Sequence, residues 1–389
     1  MRSRSKALPR LIAATVLAVG MALPAAAQKA PAGNGGVSVT APLRALLATI
    51  PADLVQPMRE APDIAFGDIE AARGLPQSAL GDGDARFDPA LLPVLRALPA
   101  GRFTEDPALI SGGWAGRVGF DPIDLRALLT IDRAPLRMTV LRLDPAVAPR
   151  VGPALAASGY ASRADRPGAW AVGEDFAIDF AARAQGDPFR GMLGAASRVA
   201  VDGDLLRHAN GWPAFDILRA PGPATADAAP TLVPLLEAMD RLDAGALLRA
   251  VILPNAAGLS LQDPMAVIQG RAPPAPSVVW LSAVIADFAQ GDRVTGALIL
   301  ATPALPDPEA VRAAVLTRWA EPGLFLDGRR SFAEAVGATP AVTVANLGGM
   351  AVMILALEMP AGHQRHIGEN SAFRLFLNAT YQRSMGFLP

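Results

Sequence analysis

VVWLSAVIADFAQGDRVTGALILAT (278–302) holds two apolar runs, 278–288 and 294–302, around a short polar connection, Ala289 to Arg293. Apolar and β-branched residues on either side of a Gly-Asp turn predict an antiparallel hairpin. A second pair follows. AVTVAN (341–346) and MAVMILALE (350–358) flank Leu347-Gly348-Gly349. The 350–358 run is apolar at successive positions, so it predicts a central strand covered on both faces. Between the hairpins, Asp307-Pro308 opens a stripe of Val311, Ala314, Val315 and Trp319. That spacing predicts a helix. Phe373, Phe376, Leu377 and Tyr381 predict a last helix after Asn370-Ser371. Residues 278–389 therefore read as a C-terminal α+β domain.

Working back, residues 41–210 predict an N-terminal α+β domain. MTVLRL (138–143) reads as a strand, and VAPRVGPALAASG (147–159) as a helix ending near Gly159. Ala169 to Val172 and Phe176 to Phe180 flank the turn Gly173-Glu174-Asp175. Val199-Ala200-Val201 and Asp204-Leu205-Leu206 flank Asp202-Gly203, a two-residue hairpin signal. Short helices are predicted after Asp68 (IEAARG), Asp88 (PALLPVLRAL) and Asp121 (PIDLRALLTI). Residues 211–277 predict a helical segment, through TLVPLLEAMDRL (231–242) and AGALLRAVIL (244–253), and then a Pro-rich linker, RAPPAPS (271–277). The expected fold class is α+β: antiparallel hairpins with packed helices, in two related α+β units with a helical insertion between them.

Asp-Pro recurs at 88–89, 106–107, 121–122, 144–145, 187–188, 263–264 and 307–308. Asp accepts a bond from a free N–H of a first helical turn, and proline suits the next position, where a missing N–H costs nothing. These aspartates are expected to cap turns rather than to act as acids or bases.

The first 27 residues, MRSRSKALPRLIAATVLAVGMALPAAA, combine a basic start (Arg2, Arg4, Lys6, Arg10) with an apolar stretch, Leu11 to Leu23. Ala25 and Ala27 put small residues at the cleavage positions. This is the pattern of a secretory signal peptide cut after Ala27, and the short apolar stretch argues against an uncleaved anchor. Gln28 to Thr40 is small, polar and Gly-rich, and predicts a flexible leader. Removing 1–27 leaves 31 basic against 36 acidic residues, a net charge of −5. No global attraction for nucleic acid follows from that balance. No later run reaches about 18 uncharged apolar residues, so no transmembrane segment is expected after signal removal. A periplasmic or secreted location is expected.

The chain has 389 residues, 51% of them hydrophobic, and no cysteine. Packing rather than disulfides must hold it together. Lys29 is the only lysine after the signal; the remaining cations are arginines among abundant Ala, Gly and Pro. This is the composition of a high-GC bacterium, so arginine richness alone marks no site.

Several chemistries lack their parts. Without cysteine there is no thiolate nucleophile and no Cys-ligated metal. Without a later lysine there is no Walker A lysine and no Schiff base. No Ser-x-x-Lys survives signal removal, and there is no G-x-S-x-G. GGWAGRVG (112–119) lacks G-x-G-x-x-G spacing and reads as a loop. The histidines are His208, His363 and His366. His363 and His366 lie three apart, the candidate metal pair, but between glycines and without a carboxylate cluster. Asp82-Gly83-Asp84 with Asp88 resembles the start of a calcium loop, yet Arg86 and Pro93 occupy ligand positions. Glu60/Asp63 and Glu174/Asp175 are neighbouring acids that fit solvated turns. The five tryptophans, Trp114, Trp170, Trp212, Trp280 and Trp319, are spread along the chain, with Trp280 and Trp319 on predicted core faces. No cofactor is expected.

IPADLVQPMREAPDIAFGDIEAARG, GFDPIDLRALLTI and PALAASGYASR, within 48–210, are similar to segments of exported bacterial proteins of unknown function. The resemblance rests on Pro51-Ala52-Asp53 and Phe120-Asp121-Pro122. It implies an exported α+β protein and no activity. The expected function is a soluble, non-catalytic binding or accessory module of the bacterial cell envelope. Its partner would be an envelope protein or an apolar small molecule; the mean hydropathy of +0.30 motivates the second. The alternative is a periplasmic hydrolase using carboxylates or His208. A closed apolar pocket would favour the small molecule, an exposed apolar patch a protein, and acids converging on His208 the hydrolase.

Overall fold

A computed structural model describes residues 38–57, 61–80, 88–99, 113–220, 222–260, 278–325, 327–361 and 370–389. The expected signal segment with Ala25 and Ala27, residues 28–37 of the expected leader, the expected linker at 271–277, Glu60, Asp82 to Asp84, Asp106, Gly112, Asp263, His363 and His366 lie outside the described residues.

The fold is α+β. Its strands are β1 (Asp63–Asp68), β2 (Leu125–Arg133), β3 (Leu136–Leu143), β4 (Ala161–Ser162), β5 (Ala169–Val172), β6 (Ser197–Asp202), β7 (Leu205–Ala209), β8 (Ala246–Leu253), β9 (Ser282–Gln290), β10 (Arg293–Thr302), β11 (Ala341–Leu347) and β12 (Met350–Pro360). They form one sheet in the order β11-β12-β10-β9-β8-β1-β2-β3-β7-β6-β5-β4. Every neighbouring pair is antiparallel. The predicted hairpins at 278–302 and 341–358 are β9–β10 and β11–β12, and β12 is buried on both faces through most of its length.

Successive side chains of a strand point to opposite faces, so each strand feeds two cores. On one face Phe66, Leu129, Val140, Ile252, Val284 and Ile299 share a single cluster with the helices Ala41–Leu47, Trp212–Arg219 and Val233–Asp240. The other face carries two clusters. Leu128, Leu141, Val199 and Leu206 pack with the helices Leu92–Ala97 and Ala148–Ala157. Ile285, Leu298, Leu300 and Met353 pack with Pro308–Trp319 and Ser371–Tyr381. Trp114, Trp280 and Trp319 are fully buried.

A polar node stands where these two clusters meet. Asp287 of β9 has no exposed surface. Its Oδ1 accepts from Arg96 Nη2 at 2.8 Å and from Asn370 Nδ2 at 2.8 Å; its Oδ2 accepts from Arg249 Nε at 2.9 Å and also from Arg96 Nη1. Arg96 comes from the helix of one cluster and Asn370 caps the helix of the other. Burial alone would raise the Asp287 carboxyl, but the two guanidiniums prevail and hold it below the ordinary 3.8. Two glycines let those helices reach the sheet. A Cβ at Gly67 would lie 2.3 Å from Ala97 O, and one at Gly296 would lie 2.4 Å from Phe373 N.

The structure corrects several expectations. PIDLRALLTI is not a helix: after a 3-10 turn at Pro122–Asp124 it becomes β2. AGALLRAVIL is not a helix either but contains β8, buried at nearly every position. Dense Leu and Ala suit a buried helix and a buried strand equally, and the ladders on both sides decide for the strand. DIAFGD is strand β1, which no expectation covered. Phe176 to Phe180 is not a hairpin arm; only Ile178 bridges, to Ala195, and β5 pairs with β6 and the two-residue β4. The leader ends earlier than Thr40. Asp240 accepts from Ser38 Oγ at 2.7 Å and from Thr40 N at 3.0 Å, and Thr40 is fully buried. GGWAGRVG contains a one-turn helix, Ala115–Val118. The lines drawn at 210/211 and 277/278 do not interrupt the sheet, because β8 pairs with β1 on one side and β9 on the other. All described residues belong to one compact unit, Ser38–Pro389. No helix among them is long and apolar enough to cross a membrane.

The five described Asp-Pro aspartates all stand at the start of their own turns, four of them with a side-chain bond to a following N–H. Asp88 accepts from Ala90 N, Asp144 from Ala146 N, Asp187 from Phe189 N and Asp307 from Glu309 N and Ala310 N. Asp121 stands at the N-cap of its turn in a capping box with Asp124, whose carboxylate accepts from Asp121 N at 2.8 Å, and its own carboxylate also accepts from Ala115 N.

Candidate functional site

The chain between β5 and β6 folds into two short 3-10 turns, Phe180–Ala182 and Gly191–Leu193. Main-chain bonds lace them together: Asp179 N to Gly194 O at 3.3 Å, Ala184 N to Gly191 O at 3.4 Å and Ala196 N to Ala177 O at 2.9 Å. Arg190 Nη2 donates to Ala182 O at 2.7 Å. The loop pair is thus a built surface. It displays Ile178, Phe180, Met192 and Leu193, all exposed, and the Arg183 guanidinium sits 5.2 Å from the Phe180 ring centre.

Asp187 anchors the pair from below. Its carboxylate accepts from Phe189 N at 2.9 Å, Arg190 N at 3.1 Å and the Tyr160 hydroxyl at 2.9 Å. Burial pushes the Asp187 carboxyl up, against the pull of those hydrogen bonds. Burial, and then the Asp187 charge, push the Tyr160 hydroxyl well above its ordinary value. Phe189 is fully buried and stacks on His208 at 4.6 Å between ring centres.

The near end of the loop is held by Arg198. Its guanidinium donates to Val172 O at 2.8 Å, Gly173 O at 2.9 Å and Asp175 Oδ1 at 2.6 Å. The same Asp175 oxygen accepts from Trp212 N at 3.0 Å, and the Trp212 ring lies under Arg198, Arg166 and Arg163. Phe176 adopts φ +62°, a left-handed backbone that bulky residues rarely take. Its N–H donates to Asn210 O, and its ring occupies the space where Gly211 lacks a side chain.

His208 lies on β7 between Val199 and Thr139, 2% exposed. Of the acid pairs, Asp175 is tied to Arg198, while Glu174 stays on the exposed turn. Asp63 faces a different acid, Asp132, directly across β1 and β2. Burial, then the Asp132 charge, push the Asp63 carboxyl up. The Tyr381 hydroxyl is pushed up by partial desolvation and then by the Asp63 and Asp132 charges, although more than half of the residue is exposed. Only the strand register reveals that pair. The exposed apolar cluster escapes the sequence reading, which takes Phe176 to Phe180 for a strand arm and singles out neither Met192 nor Leu193. Among the described residues no group of three or more His, Asp or Glu could hold a metal ion.

No protein-family model matches the chain, and no curated protein matches it. Among solved structures, crystal form I of TP0453 is similar at 10% identity, covering 80% of this chain and 94% of that one, with a TM-score of 0.37. Crystal form III of TP0453 has 9% identity, the same coverage and a TM-score of 0.35. Similarity this distant carries no argument about function.

Proposed function

We propose that the chain is an exported, non-catalytic binding or accessory module of the bacterial cell envelope, and that it docks an envelope protein through the loop pair at 176–194. One observation carries the reading. Of the seven large apolar side chains exposed among the described residues, four stand on this loop pair. Apolar residues scattered singly over a surface are ordinary, whereas a cluster marks an interaction site. The main-chain lacing and the Asp187 anchor fix the loop in advance, so a partner meets little ordering cost. The strained backbone at Phe176 is of the kind that concentrates at functional sites. Export rests on the 1–27 segment. The hydrolase alternative needs His208 or converging acids to meet substrate; a histidine buried beneath Phe189 counts against it.

The test places a photo-reactive amino acid at Phe180, and separately at Val279 as a control, in the protein's own host. Val279 is also exposed but lies elsewhere. The expected result is a discrete envelope-protein adduct at 180 that is missing at 279 and is lost with Met192→Asp. Equal labelling at both positions, or adducts unaffected by Met192→Asp, would remove the docking assignment. Recovery of the chain with Met1 intact in the cytoplasm would remove the export assignment.

A further inference from the structure

The sheet has two edges, and they differ. At one end β4 is two residues long, too short to template another strand. At the other end β11 runs for seven residues, Ala341–Leu347. It pairs with β12 in unbroken register, without the irregularities of β2–β3 or β8–β9. Alternate N–H and C=O groups of such a strand point away from its neighbour. No hydrogen bond among the described residues reaches β11 from outside the β11–β12 ladder. Edge strands are ordinarily blunted by charge, proline or a bulge. AVTVANL carries no charge and no proline. Val342 and Leu347 are buried in the cores on opposite sides of the sheet, while Ala341, Thr343 and Asn346 are exposed. Among the described residues, no other strand pairs with this edge.

We infer that β11 is a homodimer interface at which a second copy of this chain adds its own β11, antiparallel, about a two-fold axis. The edge is bounded by Pro340, which has no N–H to donate, and by the Gly348-Gly349 turn. A strand bounded in the same way matches it in length, and β11 itself is one. A two-fold axis at Val344 opposes Ala341 to Leu347, Val342 to Asn346 and Thr343 to Ala345, all neutral pairs. A charge set opposite the buried Val342 or Leu347 would give up hydration without finding an ion partner, so an uncharged strand suits this edge. Isologous pairing of one patch with itself is the commonest way that chains make dimers.

Sedimentation equilibrium on the full exported chain tests this, from about 1 μM to about 1 mM. The weight-average mass is expected to rise twofold across that range. Thr343 and Asn346 are exposed, so Thr343→Lys and Asn346→Lys leave the fold intact, as far-ultraviolet circular dichroism will report. Each variant is expected to hold the mass near the monomer, since it sets a lysine without an ion partner opposite Ala345 (Thr343→Lys) or Val342 (Asn346→Lys) of the other copy. Hydrogen exchange supplies a second readout: the 341–347 amides gain protection with concentration in the wild type alone. A wild-type mass that stays monomeric overturns the inference, including the case in which some other extended segment binds the edge. So does a dimer that survives both lysine variants.

Discussion

At Asp287 a single carboxylate answers two arginines and one amide, and no part of it is exposed. Removing one partner of a buried charge cluster leaves the others uncompensated. Asp287→Ala is therefore expected to destabilise the fold by about 3–5 kcal/mol, read from urea unfolding. The pH dependence follows from the lowered carboxyl. A native-state value below the unfolded one contributes stability that is fully present above the ordinary 3.8 and is lost as pH falls through the native value. In Asp287→Asn that stretch of acid sensitivity should vanish from an unfolding series run below pH 3.8. The sequence made the Asp-Pro caps legible, because a cap and its turn are neighbours. It hid Asp287, whose partner Arg96 stands 191 residues away. It hid the Asp63–Asp132 pair for the same reason, since only strand register brings those acids together.

The hairpins β9–β10 and β11–β12 and the helices after Asp307 and Asn370 could be read from turns and periods alone. β2 and β8 could not. Both are buried on both faces and rich in leucine and alanine, so neither period survives in their sequence. The loop pair separates display from support. Phe180→Asp should alter stability by no more than about 0.5 kcal/mol, as at ordinary surface positions. Phe189→Ala, beneath it, should cost about 3–5 kcal/mol. Thermal melts of the two variants distinguish these outcomes. Gly296→Val is expected to lower Tm, because its Cβ would enter the space of Phe373 N and Ala372 C at 2.4 and 2.5 Å. The scale of the loss is about 1–3 kcal/mol, as for overpacking.

Taken whole, Ser38–Pro389 is one compact unit around one sheet. The sequence showed the α+β class through its alternation of hairpins and caps. It did not show that β1 lies between β8 and β2, because strand order is set by packing of elements far apart in the chain. A chain cut at 277/278 is expected to yield fragments that do not fold separately, since the cut parts β8 from β9 and Arg96 from Asp287. Circular dichroism of each fragment, alone and mixed, checks this. The same geometry gives the molecule a joint that acid should loosen. The helix layer on one side of the sheet holds two apolar clusters that meet at Met359 and at the ionic contact of Asp287, while the layer opposite is one cluster. Protonation weakens the joint and leaves the clusters themselves untouched. Below pH 3.8, as Asp287 takes up its proton, the amides of 92–97 and 371–381 should begin to exchange together, ahead of the strands beneath them, so the protein yields first along a line drawn by one carboxylate.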